Sequence, residues 1–353
     1  MLGFPSALRH GSAAIRSGSG MARYLSTSAP AFNAPVKVPV ALIAKLRKTH
    51  PVPMAQAREA LEKSNLDVDA AVAYLSSATS ASAQKKAAKV ADRVTSEGTV
   101  AVSLLGGRRV AMVQLACETD FVARNDVFLK AARGIAETAA FLDVPTDDPA
   151  SPVPQPAQDA IQVFPNDALL SAPLISVPAD GTTAAAPSDE AQTVQQVLLA
   201  SLQQTSENLK LVRAASFAAP FPSTPTTRMV PGAYTHGGDD TTGKVGGIVV
   251  LSVEGAGDKP IAAMIAAPEG AQLDTDLQAL ARNLARQVVG FPTKALVAGE
   301  GVEDEEALLS QTAMLLGSDQ KVADVVAKWG EERGVKVSIV DMRRWAVGDA
   351  IEA

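Results

Sequence analysis

A tight β-hairpin that runs straight into a helix is the feature that most constrains the fold of this chain. Two apolar runs, Thr99–Leu105 and Arg108–Cys117, flank the pair Gly106-Gly107, and adjacent glycines supply the positive φ angles of a tight turn. The second run ends in a polar and aromatic segment, residues 118–122, after which the pattern turns helical. A strand pair followed directly by a helix is typical of an α+β domain.

The segment after the hairpin combines an acid with a large aromatic side chain. Its residues are Thr119, Asp120, Phe121 and Val122. Asn125 or Asp126 follows and can cap a helix from Val127 onward. A phenylalanine at such a junction is more often a core residue than an interface residue, so a core position is the first interpretation of Phe121. The second is a wedge, because a carboxylate beside a phenyl ring suits the surface of another protein better than a core.

The composition argues against two classes of ligand. The 353 residues carry a net charge of −6, whereas nucleic-acid binding favours a basic face. No apolar run approaches the roughly 20 residues that span a bilayer. We therefore expect no direct nucleic-acid binding and no membrane insertion.

Metal and redox chemistry have few residues to use. Cys117 is the only cysteine, which rules out an internal disulfide or a thiolate cluster, and its apolar neighbours predict a buried thiol. Only His50 and His236 lie outside the first 35 residues, which is too few for a metal site built on imidazole. We expect no catalytic residue, no metal and no cofactor of this chain's own.

One segment comes close to a phosphate-binding loop. Gly238–Gly243 is followed by Lys244, but Val245 stands where a serine or threonine must hold magnesium. Asp239 and Asp240 would repel phosphates, and a strand pattern follows where a helix is required. A hairpin turn explains the segment better than an NTP-hydrolysing enzyme does.

The first 35 residues have the character of an address signal. They contain three arginines, many serines and alanines, and no acid, and the first carboxylate of the chain is Glu59. This pattern is typical of a mitochondrial transit peptide, with a cut after Leu25, and it predicts a location in the mitochondrial matrix. A chloroplast signal and a disordered tail are the alternatives.

The patterns divide the chain into four parts. These are the leader 1–35, a three-helix domain 36–79, a core subdomain 80–220 and a second core subdomain 221–353. Each core subdomain is expected to pair an antiparallel sheet with helices. A proline-rich stretch, 144–190, is predicted to be an insertion or flexible excursion, although some of its apolar residues could pack.

Several elements are predicted from periodicity. The helices are 79–93, Asp126–Leu142, Ala191–Gln204, Leu277–Val289 and Gln320–Arg333, and the later strands are Gly246–Val253, Ile261–Ala267 and Val335–Val340. In this scheme, Ile261–Ala267 closes a hairpin over Gly255–Gly257.

Several segments resemble one family, elongation factor Ts, in the family's order. Thr119–Val122 is similar to its Thr-Asp-Phe-Val signature, and Tyr234–Gly238 is similar to its Tyr-x-His-Gly hairpin. Ser206–Arg213 resembles its Gly-Glu-Asn-Ile…Arg strand entry. The opening three helices resemble a ubiquitin-associated-type bundle, with His50–Pro53 in place of the family's Thr-Gly-Ala-Gly. The resemblance covers about 38–143 and 206–353.

The resemblance implies a binding protein without chemistry of its own. Its partner would be mitochondrial elongation factor Tu, from which it would release GDP, and both magnesium and GDP would belong to that partner. The partner-binding residues implied are Thr119, Asp120, Phe121, Val122, His236, Gly237, Arg47 and Met54. The alternative is an adaptor, in which the three-helix domain recruits another protein and the rest is scaffold.

Overall fold

The computed structural model describes residues 38–49, 54–144, 160–175, 192–221, 223–257, 259–268 and 270–350. The predicted leader 1–35, the loop His50–Pro53 and the larger part of the 144–190 stretch lie outside these ranges. The chain divides between Leu75 and Ser76 into two compact units, and each is described by itself.

The described residues form ten α-helices and eight strands. The helices are α1 (Val40–Thr49), α2 (Met54–Lys63), α3 (Val68–Val90), α4 (Asp120–Ala123), α5 (Asp126–Phe141), α6 (Asn166–Ser171), α7 (Val194–Thr205), α8 (Ile261–Ala266), α9 (Gly270–Gly290) and α10 (Val322–Glu332). The strands are β1 (Glu97–Leu105), β2 (Arg109–Cys117), β3 (Gln162–Phe164), β4 (Lys210–Ala218), β5 (Thr227–His236), β6 (Thr242–Gly243), β7 (Val245–Gly255) and β8 (Val335–Ala346).

The first unit is a small helical bundle. Its core is apolar and consists of Ile43, Leu46, Ala57, Ala60, Leu61, Ala71 and Leu75. The turn before α3 places Asn65 and Leu66 at positive φ, and the Asp67 carboxylate accepts hydrogen bonds from the amides of Asp69 and Ala70. An aspartate in that position satisfies the free amides of a helix start.

The predicted break between the three-helix domain 36–79 and a separate helix 79–93 is wrong. Helix α3 continues without a break to Val90 and absorbs most of the separate helix predicted at 79–93. The stretch contains neither glycine nor proline and is rich in alanine, and alanine has the highest helix propensity. Nothing in its local sequence therefore ends the helix earlier.

The second unit contains two antiparallel sheets. The larger has the order β3-β4-β2-β1-β6 and the smaller has the order β5-β7-β8. The hairpin from β1 to β2 pairs Glu97 with Cys117 through to Leu105 with Arg109, and both turn glycines have positive φ. The predicted hairpin and the α+β class are confirmed.

Alternating residues of each sheet face different layers. In β2, Val113 and Leu115 pack against α5 and α7, whereas Val110 and Met112 face the smaller sheet through Ile248 and Val250. The outer face of the smaller sheet packs against α9 and α10. Because both faces of the central strands are buried, the sequence of β2 is a continuous apolar run and does not alternate between apolar and polar residues.

The strand predicted at Ile261–Ala267 is wrong, because Ile261–Ala266 forms α8. Pro260 stands immediately before this helix, and a short apolar run does not distinguish strand from helix by periodicity alone. The place beside β7 is taken instead by β8, which pairs with it from Val245–Ala346 to Gly255–Val335.

Within the 144–190 stretch, apolar residues of the described segment 160–175 pack into the core, as the sequence analysis allowed for some of them. Strand β3 extends the larger sheet beside β4, and α6 follows it. Ile161, Phe164 and Leu169 are fully or almost fully buried. These side chains supply the apolar burial that a disordered segment lacks.

Candidate protein-binding site

The segment Thr119–Val122 forms the single-turn helix α4 and its cap. Thr119 has extended backbone angles, and its hydroxyl accepts a hydrogen bond from the Val122 amide. Val122 and Ala123 are buried in the core under the larger sheet, whereas the side chain of Phe121 is 85% exposed. The interpretation of Phe121 as a core residue is therefore wrong: its neighbours anchor the turn and its ring faces solvent.

Glu207 braces the start of this helix from a distant part of the chain. Its carboxylate accepts hydrogen bonds from the amides of Glu118 at 3.1 Å and Thr119 at 3.0 Å, and from the Thr119 hydroxyl at 2.6 Å. Glu207 follows α7, where Ser206 ends the helix in a left-handed conformation. The turn that carries Phe121 is thereby tied to the junction of α7 and β4.

A second set of hydrogen bonds links the same two segments, with Glu118 as the acceptor. The Glu118 carboxylate accepts from the Asn208 amide at 2.7 Å and from the Arg93 guanidinium at 3.3 Å. The Asn208 side chain in turn donates to the carbonyls of Ala91 and Arg93. In each of the two segments, 118–119 and 207–208, backbone amides donate to a carboxylate of the other segment. These bonds restrict the backbone at the base of α4.

The end of α4 is fixed by the next helix. Asn125 caps α5 by accepting from the Val127 amide at 2.8 Å, which confirms one of the two predicted caps. Asp120 lies in the first turn of α4 and pairs with Arg124 at 3.3 Å. Both of these side chains are largely exposed, so the ion pair contributes little to stability.

His236 is the last residue of β5 and Gly237 is the first residue of the connection from β5 to β7, and both are exposed. Gly237 has a φ of 80°, a conformation that glycine adopts without strain. A groove of about 380 Å³ is lined by Ala123 and Arg124 at the end of α4 and, from the connection between β5 and β7, by Gly237, Gly238, Asp239, Thr242, Gly243 and Lys244. Of the predicted site residues, Gly237 lines this groove, beside the two residues that follow Val122.

The loop is held by the carboxylate of Asp239. Burial alone would raise the pKa of Asp239, but hydrogen bonds from Thr241, Arg133 and Thr242 outweigh it and hold the pKa below its ordinary value. Asp239 is therefore ionised throughout the neutral pH range, and the bonds that depend on its charge are retained there.

The remaining predicted residues, Arg47 and Met54, belong to the first unit. Arg47 is in the last turn of α1, and Met54 begins α2 with 52% of its side chain exposed. The loop between them lies outside the described residues. Their role in partner binding stays a prediction.

The segment that approaches a phosphate-binding loop is a β-turn region, as predicted. Gly243 belongs to β6 and Val245 begins β7, and the Lys244 ammonium pairs with Glu97 at 2.6 Å. Within the described ranges, no group of three or more histidine, cysteine, aspartate or glutamate side chains could hold a metal. No helix in those ranges has the length and apolar character that a membrane crossing needs.

Cys117 is buried, as predicted, and its thiol donates to the Thr119 carbonyl at 3.3 Å. Burial raises the pKa of this thiol to about 12, with a further contribution from the nearby Glu207 carboxylate.

We expect the folded protein to resist a thiol reagent at about pH 8, where an unfolded cysteine with its ordinary pKa near 8.5 reacts readily. The measurement is the rate at which the reagent labels Cys117 in buffer and in urea, and fast labelling of the folded chain would contradict the prediction. The Cys117→Ala variant, which has no thiol, is the background control.

Four positions that shape the site were missed by reasoning from the sequence. They are Glu207, Asn208, Arg133 and Asp239. The first two lie in a segment whose resemblance to the family's Gly-Glu-Asn sequence was noted only as a strand entry. The signal available in the sequence was an acid, Glu207, directly after a helix and before a strand, at the position of the glutamate in the family's Gly-Glu-Asn sequence. For Arg133 and Asp239 the local sequence held no signal.

The fold and this surface define a class of protein: an α+β protein that presents an exposed aromatic side chain on a braced helical turn. Comparison with known proteins makes the class specific. A profile of the family described as Elongation factor TS matches residues 118–349. A relative named "Elongation factor Ts, mitochondrial", from Cryptococcus neoformans var. neoformans serotype D, is 60% identical over 326 residues, which cover 90% of this chain and 88% of the relative.

More distant relatives give the same result. A protein of the same name from Coprinopsis cinerea is 34% identical, over 91% of this chain and 94% of the relative. "Elongation factor Ts, mitochondrial 2" from Postia placenta is 32% identical, over 88% and 92% respectively. This chain belongs to the elongation factor Ts family. The mitochondrial location predicted from residues 1–35 is confirmed by the names of these relatives.

Proposed function

We propose that this chain is a guanine nucleotide exchange factor that binds mitochondrial elongation factor Tu and releases its GDP. The observation that carries the proposal is the exposed ring of Phe121 on a helix turn whose base is fixed by Glu207. Exposed aromatic side chains with rigid support are the usual anchors of a protein interface. Family membership supports the choice of partner.

Exchange is a problem of coupling between two ligands of one protein. The factor must bind the nucleotide-free partner more tightly than the GDP-bound partner, and GDP must weaken the factor to the same extent. Each tenfold loosening of GDP requires about 1.4 kcal/mol of differential contact. Full burial of a phenylalanine side chain supplies about 1.5–3 kcal/mol. Phe121 alone can therefore account for a loosening of tenfold or more.

The wedge consists of Asp120 and Phe121. In this proposal the two side chains enter the partner between elements next to its magnesium and phosphate site, and the displaced elements release the ion and weaken the diphosphate. Magnesium and GDP belong to elongation factor Tu. This chain supplies contact and no covalent chemistry, and it needs neither nucleic acid nor a membrane for this task.

His236 and Gly237 are the second contact element, because their loop borders the same groove as the end of α4. Arg47 and Met54 are a third contact, made by the three-helix unit. That unit has an apolar core of its own, and this observation favours the alternative of an adaptor that recruits another protein. In the adaptor, the second unit would serve as scaffold and Phe121 would not affect nucleotide release.

The rate of GDP release distinguishes the two functions. Mitochondrial elongation factor Tu is loaded with fluorescent GDP, and the loss of fluorescence is followed with and without the purified chain. We expect release to speed up by about tenfold or more, which corresponds to at least about 1.4 kcal/mol of coupling. An unchanged rate would favour the adaptor. An unrelated GTPase loaded in the same way serves as the specificity control, and its rate should not change.

A further inference from the structure

The loop that carries His236 and Gly237 is bonded to both sheets. It starts at His236, the last residue of β5, which pairs with Val245 of β7 in the smaller sheet. Between them, β6 pairs with β1 of the larger sheet, with Val100 opposite Gly243 and Ala101 opposite Thr242. One connection therefore fixes the edge of the larger sheet to the hairpin of the smaller one.

Asp239 is the centre of this connection. Its carboxylate accepts five hydrogen bonds, two each from the amide and hydroxyl groups of Thr241 and Thr242 and one from the guanidinium of Arg133. Its backbone carbonyl accepts from the Thr235 hydroxyl at 2.7 Å. This side chain thus adds to the backbone bonds of the loop, among them the bond from the Asp239 amide to the Thr242 carbonyl at 2.8 Å.

Arg133 extends the connection to the helix that follows the wedge. It lies on α5, and its Nε also donates to the Thr241 hydroxyl at 3.1 Å. Two residues separate the end of α4 from the start of α5, and the start of α5 is capped by Asn125. Arg133 is therefore part of the same braced segment as Phe121, and the ion pair with Asp239 joins that segment to the His236 loop.

We propose that Asp239 and Arg133 are positioning residues that hold the His236–Gly237 loop at a fixed place relative to Phe121. The two contact elements then meet the partner as one preorganised surface. Without the pair, the loop must be ordered during binding, and that ordering cost weakens association. The inference rests on the exchange function proposed above and adds to it the residues that set the geometry of its two contacts.

The test compares Asp239→Asn with Asp240→Asn. Asp240 is the next residue in the same loop, and its only described ion pair, with Arg282, is on the surface, so the same change there leaves the Arg133 connection intact. We expect Asp239→Asn to raise the concentration needed for half-maximal GDP release by about tenfold, while the rate at saturation stays close to that of the native chain. Asp240→Asn should match the native chain in both quantities.

A double-mutant cycle separates positioning from loss of folded protein. In the native background, His236→Ala should raise the half-maximal concentration severalfold. In the Asp239→Asn background it should add little, because the loop is no longer held in its contact position. Amide hydrogen exchange of the free chain should show faster exchange at Thr241 and Thr242 and no change in β2.

The outcomes distinguish the positioning role of Asp239 from the exchange function itself. If Asp239→Asn behaves like the native chain, or if it lowers only the saturated rate in step with a loss of folded protein, the positioning role is overturned while the exchange function stands. If the native chain itself does not release GDP, the exchange function is overturned and this inference with it.

Discussion

The Phe121→Ala protein should fold as the native chain does and lose most of its ability to release GDP. Because 85% of the side chain is exposed, its removal forfeits little internal packing, and surface changes of this kind shift the free energy of unfolding by no more than about 0.5 kcal/mol. The substitution instead reduces the free energy of binding to the partner. Burial of the ring in the partner is worth about 1.5–3 kcal/mol, which at about 1.4 kcal/mol per factor of ten is a loss of about 10–100-fold in exchange.

Thermal unfolding and GDP release, measured on the same preparation, check both halves of this expectation. Phe221→Ala is the matched control, because Phe221 is 94% exposed and lies outside the segments that border the groove; its exchange rate should equal that of the native chain. Asp120→Asn should have a milder effect than Phe121→Ala, since it keeps size and a hydrogen-bond acceptor. Native exchange rates in both Phe121→Ala and Asp120→Asn would remove the wedge from the proposed function.

The elements that the sequence predicted well are those whose signals are local. Adjacent glycines between two apolar runs define the β1–β2 hairpin, and the cap at Asn125 and the periodic apolar face of α5 define the next helix. The helices α9 and α10 have strong periodicity of the same kind. For these elements, the residues that form the signal and those that form the structure are the same.

The errors have the opposite character. Ile261–Ala266 is too short for periodicity to separate helix from strand, and the edge of β7 is instead filled by β8 from the other end of the sequence. Phe164 and Leu169, which the sequence analysis could only allow to pack, are buried by distant partners, although their neighbourhood is rich in proline. In each case a tertiary contact decided the structure, and a local pattern contains no information about that contact.

The site divides along the same line. Asp120 and Phe121 were predicted because they are adjacent in one short signature, whereas Glu207, which accepts hydrogen bonds at the base of their helix, is 88 positions from Thr119. The bond between Arg133 and Asp239 spans 106 positions. Local sequence thus indicated candidate contact residues, whose role stays a prediction, but not the side chains that brace them.

Glu207→Ala should remove most of the exchange activity although Glu207 is not itself predicted to contact the partner. The substitution leaves the amides of Glu118 and Thr119 and the Thr119 hydroxyl without their acceptor. Hydrogen bonds to charged groups are worth about 1.5–3 kcal/mol each, so the base of α4 should loosen and Phe121 should lose its fixed direction. We expect a loss of exchange of about tenfold or more, at about 1.4 kcal/mol per factor of ten. Glu207→Gln keeps one oxygen acceptor and should lose less, and the exposed Glu300 provides the control, with Glu300→Ala at the native rate.

The double variant of Phe121→Ala and Glu207→Ala shows whether Glu207 acts through the wedge. If the only role of Glu207 in exchange is to direct Phe121, then nothing remains to misdirect once the ring is gone, and the double variant should release GDP as slowly as Phe121→Ala and no slower. Residues that act as one unit show this non-additivity, whereas independent residues have additive free energies. Multiplied losses in the double variant would mean that Glu207 contributes to exchange by another route, and the bracing of α4 would then be a contribution to stability alone. The free energy of unfolding, measured for all four proteins, separates that contribution from the loss in exchange.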